Sequence, residues 1–232
     1  MTVSQTLPIE LYFWTTPNGY KISIMLEELG APYALRFVNI NRGEQFKPDF
    51  LAVSPNNRIP AIIDPEGPGG KPISVFETGA ILIYLGRKFA RFYPAEERAR
   101  VAVEEWLVWQ VANVGPVFGH YNHFNRYSQE KVPYAITRFG DEAHRLFRIL
   151  DERLRDRAFV AGEYSIADMA LFCWMRNWDR RGIDIAEFPE VKRWHDAINA
   201  RPAVIRGLAP KAPVEIDIAK DAEARKVLFG QR

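Results

Sequence analysis

Four short apolar runs with strand character occupy the first third of the chain, at residues 10–14, 33–40, 60–63 and 73–76. Helical spacing separates the first two, over 17–29, and returns over 45–53 before the third. A further helix is predicted from Glu77 to about Phe89. The run Gly67-Pro68-Gly69-Gly70 stands between the last two strands and has the composition of a hairpin turn. Beyond it no strand pattern recurs. Residues 97–118, 131–157, 166–181 and 191–200 all carry apolar positions at helical spacing.

The predicted order is βαβαββα, which is that of a thioredoxin-like α/β domain whose first two strands are parallel and joined by a helical crossover. An all-α domain follows. The expected organisation is therefore residues 1–90 as the thioredoxin-like domain, 91–96 (containing Arg91-Phe92-Tyr93-Pro94) as a linker, 97–210 as the all-helical domain, and 211–232 as a tail whose docking the pattern does not reveal. Ser165-Ile166-Ala167-Asp168 precedes the apolar run 169–174 and reads as a capping box, a serine N-cap with an acidic residue at N3. A cap of this kind contributes about 1 kcal/mol to stability, so Ser165 and Asp168 are expected to build the fold and to do no chemistry.

Composition narrows the possibilities. At 232 residues, 47% hydrophobic and 26% charged, the chain has ordinary globular composition with room for two domains. A formal net charge of +2 gives no electrostatic case for nucleic acid or a membrane surface as partner. No apolar run approaches the roughly 20 residues that span a bilayer. Residues 1–10 lack the basic and apolar segments of a secretory signal. The single cysteine, Cys173, excludes an internal disulfide and sits in an apolar helix, so an inert buried thiol in a reducing cytoplasm is expected.

Two short segments bring candidate chemistry. In Asn57-Arg58-Ile59-Pro60-Ala61 a proline opens an apolar strand after a tight turn, which makes it a candidate cis-proline and leaves the Ile59 backbone open to an extended peptide. In Phe76-Glu77-Thr78-Gly79-Ala80-Ile81 a helix starts behind an acidic and a hydroxyl side chain, with unpaired N–H groups and a positive dipole end suited to a carboxylate. Together they describe a site for a short acidic peptide. Upstream, Thr16-Pro17-Asn18-Gly19 reads as a helix start with Thr16 as N-cap and Pro17 at the favoured first position. A helix N-terminus also stabilises a thiolate. Lowering a free thiol from its usual pKa of about 8.5 by two units needs roughly 2.7 kcal/mol, which one or two charge-bearing hydrogen bonds supply. The Thr16 hydroxyl and the Asn18 amide are such donors.

These residues resemble the glutathione site of the glutathione transferase superfamily. The turn at 16–19, Ser54-Pro55-Asn56-Asn57, Trp106-Leu107-Val108-Trp109-Gln110 and Pro133-Tyr134-Ala135-Ile136 are similar to the bacterial nu-class branch, akin to the Ure2-like proteins. The resemblance covers about residues 8–208, with its motifs in the correct order. It implies glutathione as co-substrate. Ile59-Pro60 would pair with the cysteinyl backbone, Glu77 and Thr78 would hold the γ-glutamyl end, and Arg58 and Gln45 would approach the opposite end. Arg138 would reach the ligand from the helical domain, that of a partner subunit included. No cysteine occupies the turn, so the reacting sulfur would be that of glutathione, held by Thr16 and Asn18, with Tyr12 ranked behind Thr16. The resemblance further implies a homodimer that reduces small disulfides and conjugates electrophiles weakly. A conjugating transferase and a glutathione-binding regulatory protein remain the alternatives, although no Gln/Asn-rich extension supports a prion-like regulator.

The aromatic segment 118–127 admits three readings. His120 and His123 stand three apart, but no nearby carboxylate or cysteine completes a ligand set, so no metal is expected. Base stacking lacks the accompanying basic stripe. The favoured reading is the wall of a co-substrate pocket formed by Phe118, His123 and Phe124 with Trp14, opened by a bend at Gly115-Pro116. Trp106 and Trp109 are expected at the cleft or a subunit interface, and Trp174, Trp178 and Trp194 in the core.

Overall fold

The computed structural model describes residues 7–230. Two compact units emerge: residues to 85 together with those from 206 onward, and residues 86–205.

In the first unit, strand β1 (Ile9–Phe13) buries alternate side chains. Helix α1 (Pro17–Leu29) starts at the Thr16 cap and stops at Gly30, whose positive φ of 65° is the left-handed conformation glycine adopts without penalty. Strand β2 (Tyr33–Phe37) pairs parallel with β1. Strand β3 (Ala61–Asp64) pairs antiparallel with β1, and β4 (Ile73–Phe76) antiparallel with β3, giving the sheet order β2-β1-β3-β4. Helix α3 (Thr78–Phe89) follows. This is the thioredoxin-like α/β arrangement.

The predicted helix over 45–53 is not continuous. A 3-10 turn (Glu44–Phe46) gives way to a four-residue helix α2 (Pro48–Leu51). Lys47 is extended because a residue preceding proline is sterically pushed out of the helical region. Strand β2 also ends three residues early, since the Asn39 side chain accepts from the Asn41 N–H and caps a 3-10 turn (Ile40–Arg42).

The residues from 206 onward, which lead into the tail, belong to the first unit. Helix α9 (Pro202–Leu208) brings Gly207 against α1, where a Cβ would lie 2.6 Å from the Ile24 Cα. Ser23 Oγ donates to the Gly207 carbonyl at 2.6 Å, and the Tyr20 hydroxyl donates to the Pro210 carbonyl. Helix α10 (Ala222–Phe229) is capped by Asp221, which also pairs with Arg42 at 2.8 Å. The tail thus holds the 40–46 segment.

The second unit is helical, and its β pairing among the described residues is two isolated bridges within 159–163. Helix α4 (Glu97–Trp109) runs into a π-helical segment (Gln110–Val114), then α5 (Gly115–Asn122) and a second π-helical segment (His123–Tyr127). Pro116 has no N–H to continue an α-helical ladder, and the wider register at 110–114, with Gly115 N–H donating to the Gln110 carbonyl, absorbs it. Helices α6 (Pro133–Leu154) and α8 (Pro189–Asn199) complete the unit around α7 (Ile166–Met175), whose ten residues are all buried. The segment 91–96 is tied to this unit: Arg91 N–H donates to the Gly86 carbonyl, Ile166 N–H to the Phe92 carbonyl, and the Tyr93 hydroxyl to Glu104.

The capping box at α7 is complete. Ser165 Oγ accepts from the Ala167 N–H, and the Asp168 carboxylate accepts from the N–H groups of Val160 and Ser165 and from the Trp194 indole. Burial pushes the Asp168 carboxyl up to about 6, against the pull of those donors.

Candidate functional site

The sheet register gathers the candidate segments of the first unit. Tyr12, next to the end of β1, faces Ala61 at the start of β3, and Ala61 faces Phe76 at the end of β4. The loop leaving β1, the residues entering β3 and the start of α3 therefore meet at one end of three neighbouring strands. Thr16 and Asn18, Ile59-Pro60, and Glu77-Thr78 all lie there.

The turn after β1 is tight. Thr16 N–H donates to the Trp14 carbonyl at 2.8 Å, and a Cβ on Gly19 would lie 2.3 Å from that same oxygen, so only glycine fits. Thr16 Oγ1 accepts from the Gly19 N–H at 3.2 Å. With that lone pair engaged from behind, the hydroxyl proton is free to point out of the turn. Thr16 and Asn18 are both half-buried. Tyr12 is a poorer activating group: burial first, and then the nearby Glu10 carboxylate, raise its phenol above the usual value.

The Ile59–Pro60 peptide is cis. Ile59 is buried among Trp14, Val38, Phe50, Val53 and Ala61. Glu77, one residue before α3, has φ 69°, and its carbonyl accepts the Ile81 N–H that opens the helix. Its carboxylate accepts from Asn56 Nδ2 at 3.2 Å. Thr78 is 7% exposed, and its Oγ1 accepts from the ammonium of Lys21 at 3.2 Å.

Four expectations are placed differently. Gln45 lies in the 3-10 turn and not at the start of a helix. It is 2% exposed, and its amide donates to the Ile40 carbonyl. Trp14 is buried in the cluster named above and meets the Phe37 ring edge-on, so its indole belongs to the core of the first unit rather than to an open wall. Phe118 is fully buried, stacked on Phe147 and covered by the Arg181 guanidinium 4.4 Å from its centroid, so it too is core. Indole and phenyl rings beside polar neighbours read as lining, but their area favours burial. Trp174, Trp178 and Trp194 divide: Trp174 and Trp194 are buried and Trp178 is not.

Arg58 is exposed, and its carbonyl accepts from Ser54 Oγ. In the second unit, Arg138 is exposed on α6 with Glu142 at 3.8 Å. Phe124 stacks on Phe139 at 5.9 Å, with the His120 ring on the same phenyl. His123 is half-buried, and burial followed by the His120 charge lowers its pKa. A cavity of about 590 Å³ in this unit, between Gly86–Tyr93, Arg100 and Tyr164, includes none of the candidate residues. Among the described residues no cluster of His, Cys, Asp or Glu could hold a metal, and no helix is long and apolar enough to cross a membrane.

Two residues escaped the sequence reading. Asn56 steadies Glu77, and its position in the turn before the cis-proline was a usable signal. Lys21 offered only its position inside the otherwise apolar stretch of α1.

Residues 7–87 match the glutathione S-transferase N-terminal domain family model and residues 138–202 the C-terminal one. The chain belongs to the glutathione S-transferase family. It is 47% identical over 202 residues, covering 86% of this chain and 94% of the relative, to the Escherichia coli K12 disulfide-bond oxidoreductase YfcG. Among solved structures it is similar to a Pseudomonas fluorescens glutathione transferase family member with two glutathione bound (44% identity, TM-score 0.83, 89% and 95% of the chains). It is also similar to a Pseudomonas putida glutathione transferase with one glutathione disulfide bound per subunit (38% identity, TM-score 0.84, 90% and 94%).

Proposed function

We propose that this chain is a glutathione-dependent enzyme that stabilises the glutathione thiolate and reduces small disulfides, with weak conjugating activity. The observation that carries this reading is the Thr16 hydroxyl, fixed as an acceptor by Gly19 and so left to donate from a helix N-terminus in a turn without cysteine. The names of the similar proteins, a disulfide-bond oxidoreductase and a transferase holding glutathione disulfide, support the same chemistry.

In the proposed reaction Thr16 and Asn18 donate hydrogen bonds to the bound glutathione sulfur, which has released its proton to solvent. The thiolate attacks one sulfur of the substrate disulfide, forming a mixed disulfide and expelling the other half as a thiolate. A second glutathione thiolate then attacks the glutathione sulfur of that mixed disulfide. Glutathione disulfide forms, the second half leaves as a thiolate, and solvent protonates both leaving groups. Two glutathione molecules are oxidised for each disulfide reduced. Ile59 offers its backbone to the cysteinyl residue, Glu77 and Thr78 hold the γ-glutamyl end, and Arg58 serves the glycyl end. Arg138, of this subunit or a partner's, is the proposed further contact to glutathione, and His123 and Phe124 are the proposed contacts to the co-substrate.

Assays against 2-hydroxyethyl disulfide and a chloronitrobenzene electrophile, each with glutathione, test this. Rapid turnover of the disulfide and slow conjugation are expected. Conjugation without disulfide reduction would make the chain an ordinary conjugating transferase.

Binding gives a separate test. Thr78→Ala is expected to weaken glutathione binding by about 1.5–3 kcal/mol, the range for hydrogen bonds to charged groups. Glu77→Ala should act in the same direction by less, because Glu77 is exposed. Calorimetry returning wild-type affinity for both folded variants would move the site elsewhere. The chain is also proposed to be a homodimer. Its interface should bury well above ~1,000 Å², and light scattering at micromolar protein should return twice the chain mass. A monomer mass sinks that assembly.

A further inference from the structure

Lys21 is 2% exposed in α1, and its Nζ donates to Thr78 Oγ1 at 3.2 Å. The contact spans 57 residues of sequence and ties the middle of α1 to the first residue of α3.

An ammonium has donors only, so at this contact the Thr78 hydroxyl must accept. Its own proton is thereby turned away from Lys21. The same residue stands where the first-turn N–H groups of α3 have no intrahelical partner. An anion at this helix start would meet a hydroxyl already set as a donor, with a full positive charge one hydroxyl behind it.

We infer that Lys21 is a positioning residue for the α-carboxylate of the γ-glutamyl end: it fixes the direction of the Thr78 hydroxyl and supplies the charge that favours a carboxylate there. The inference rests on the glutathione reading of the site and deepens it. Lys21 acts through Thr78, and its contribution is to selectivity for an amino-acid-like terminus. The ligand class is a peptide that opens with a free α-carboxylate.

Calorimetry on the full chain with two ligands separates this role from packing. One ligand is glutathione, and the other is γ-aminobutyryl-cysteinylglycine, which keeps the amine and lacks the α-carboxylate. Wild type should prefer glutathione by about 10- to 100-fold, the equivalent of one or two charge-assisted hydrogen bonds. In Lys21→Met that preference should collapse to a few-fold while affinity for the decarboxylated ligand holds, and Lys21→Arg should restore part of it. Equal losses for both ligands in Lys21→Met would make Lys21 a packing residue and overturn the inference. Should Lys21→Met not fold, the wild type labelled with ¹⁵N-lysine decides. The Lys21 ammonium resonance should respond to glutathione and not to the decarboxylated ligand, and equal responses overturn the inference. A wild type that binds both ligands equally refutes the Lys21 role alone, whereas one that binds neither refutes the glutathione reading beneath it.

Discussion

Thr16→Val is expected to slow glutathione-dependent disulfide reduction at pH 7 by about 3- to 25-fold while leaving the fold intact. The hydroxyl that accepts from Gly19 and donates outward is the group placed to stabilise a sulfur anion at the start of α1. Losing one such donor should raise the bound thiol pKa by roughly one to two units, at about 1.4 kcal/mol per unit. The sign follows directly. In wild type the thiolate is already formed near neutrality, so the rate should flatten there. In the variant the rate should keep climbing toward the free-thiol value of about 8.5, and much of the deficit should vanish at high pH. Asn18→Ala should behave alike, with an added cost if the turn loosens. Pre-steady-state rates across a pH series, read beside ultraviolet thiolate absorbance, test it. Wild type and Thr16→Val titrating with the same midpoint would remove Thr16 from contact with sulfur.

Asp168→Ala should destabilise the helical unit by at least about 3 kcal/mol. The substitution strands the N–H groups of Val160 and Ser165 and the Trp194 indole in a fully buried site, and each unsatisfied donor costs about 1–3 kcal/mol. Ionisation adds a pH dependence. The folded carboxyl titrates near 6 against an ordinary value of 3.8, so the protonated form is the one the fold favours. The stability this group contributes is fully present below its unfolded pKa and is lost as pH rises through about 6. The advantage of wild type over Asp168→Asn should therefore shrink from about pH 4 to about pH 6 and stay level above. Urea unfolding of both variants over that range provides the measurement. Equal midpoints for wild type and Asp168→Ala would show that these three donations to the carboxylate are replaceable.

How far the sequence foretold the structure depended on whether each signal was local. Helix α1 was bounded correctly because Thr16-Pro17 and Gly30 mark start and stop by backbone chemistry alone. The capping box and the cis-proline were visible for the same reason. The second helix was misjudged because Pro48 acts on its neighbour Lys47, an effect periodicity does not register. Trp14 and Phe118 were assigned to a pocket wall, but whether a ring packs inward depends on distant partners such as Phe50 and Phe147. Lys21 was hidden by the sound expectation that lysines face water, which its contact with Thr78 overrides. The packing of the C-terminal residues was illegible because their partners, Arg42 and α1, lie some 180 residues upstream in the chain.

That return of the tail shapes how the protein is made. Residues 206–230 complete the unit that begins at β1, so a nascent chain can pair its strands early but cannot seat Gly207 on α1 until all of 86–205 has been synthesised. At about 5–20 residues per second the sheet waits roughly 6–24 seconds with one flank of α1 uncovered. The helical unit, whose contacts are contiguous in sequence, can close first. The first unit, although it leads in the chain, is then the last to be finished.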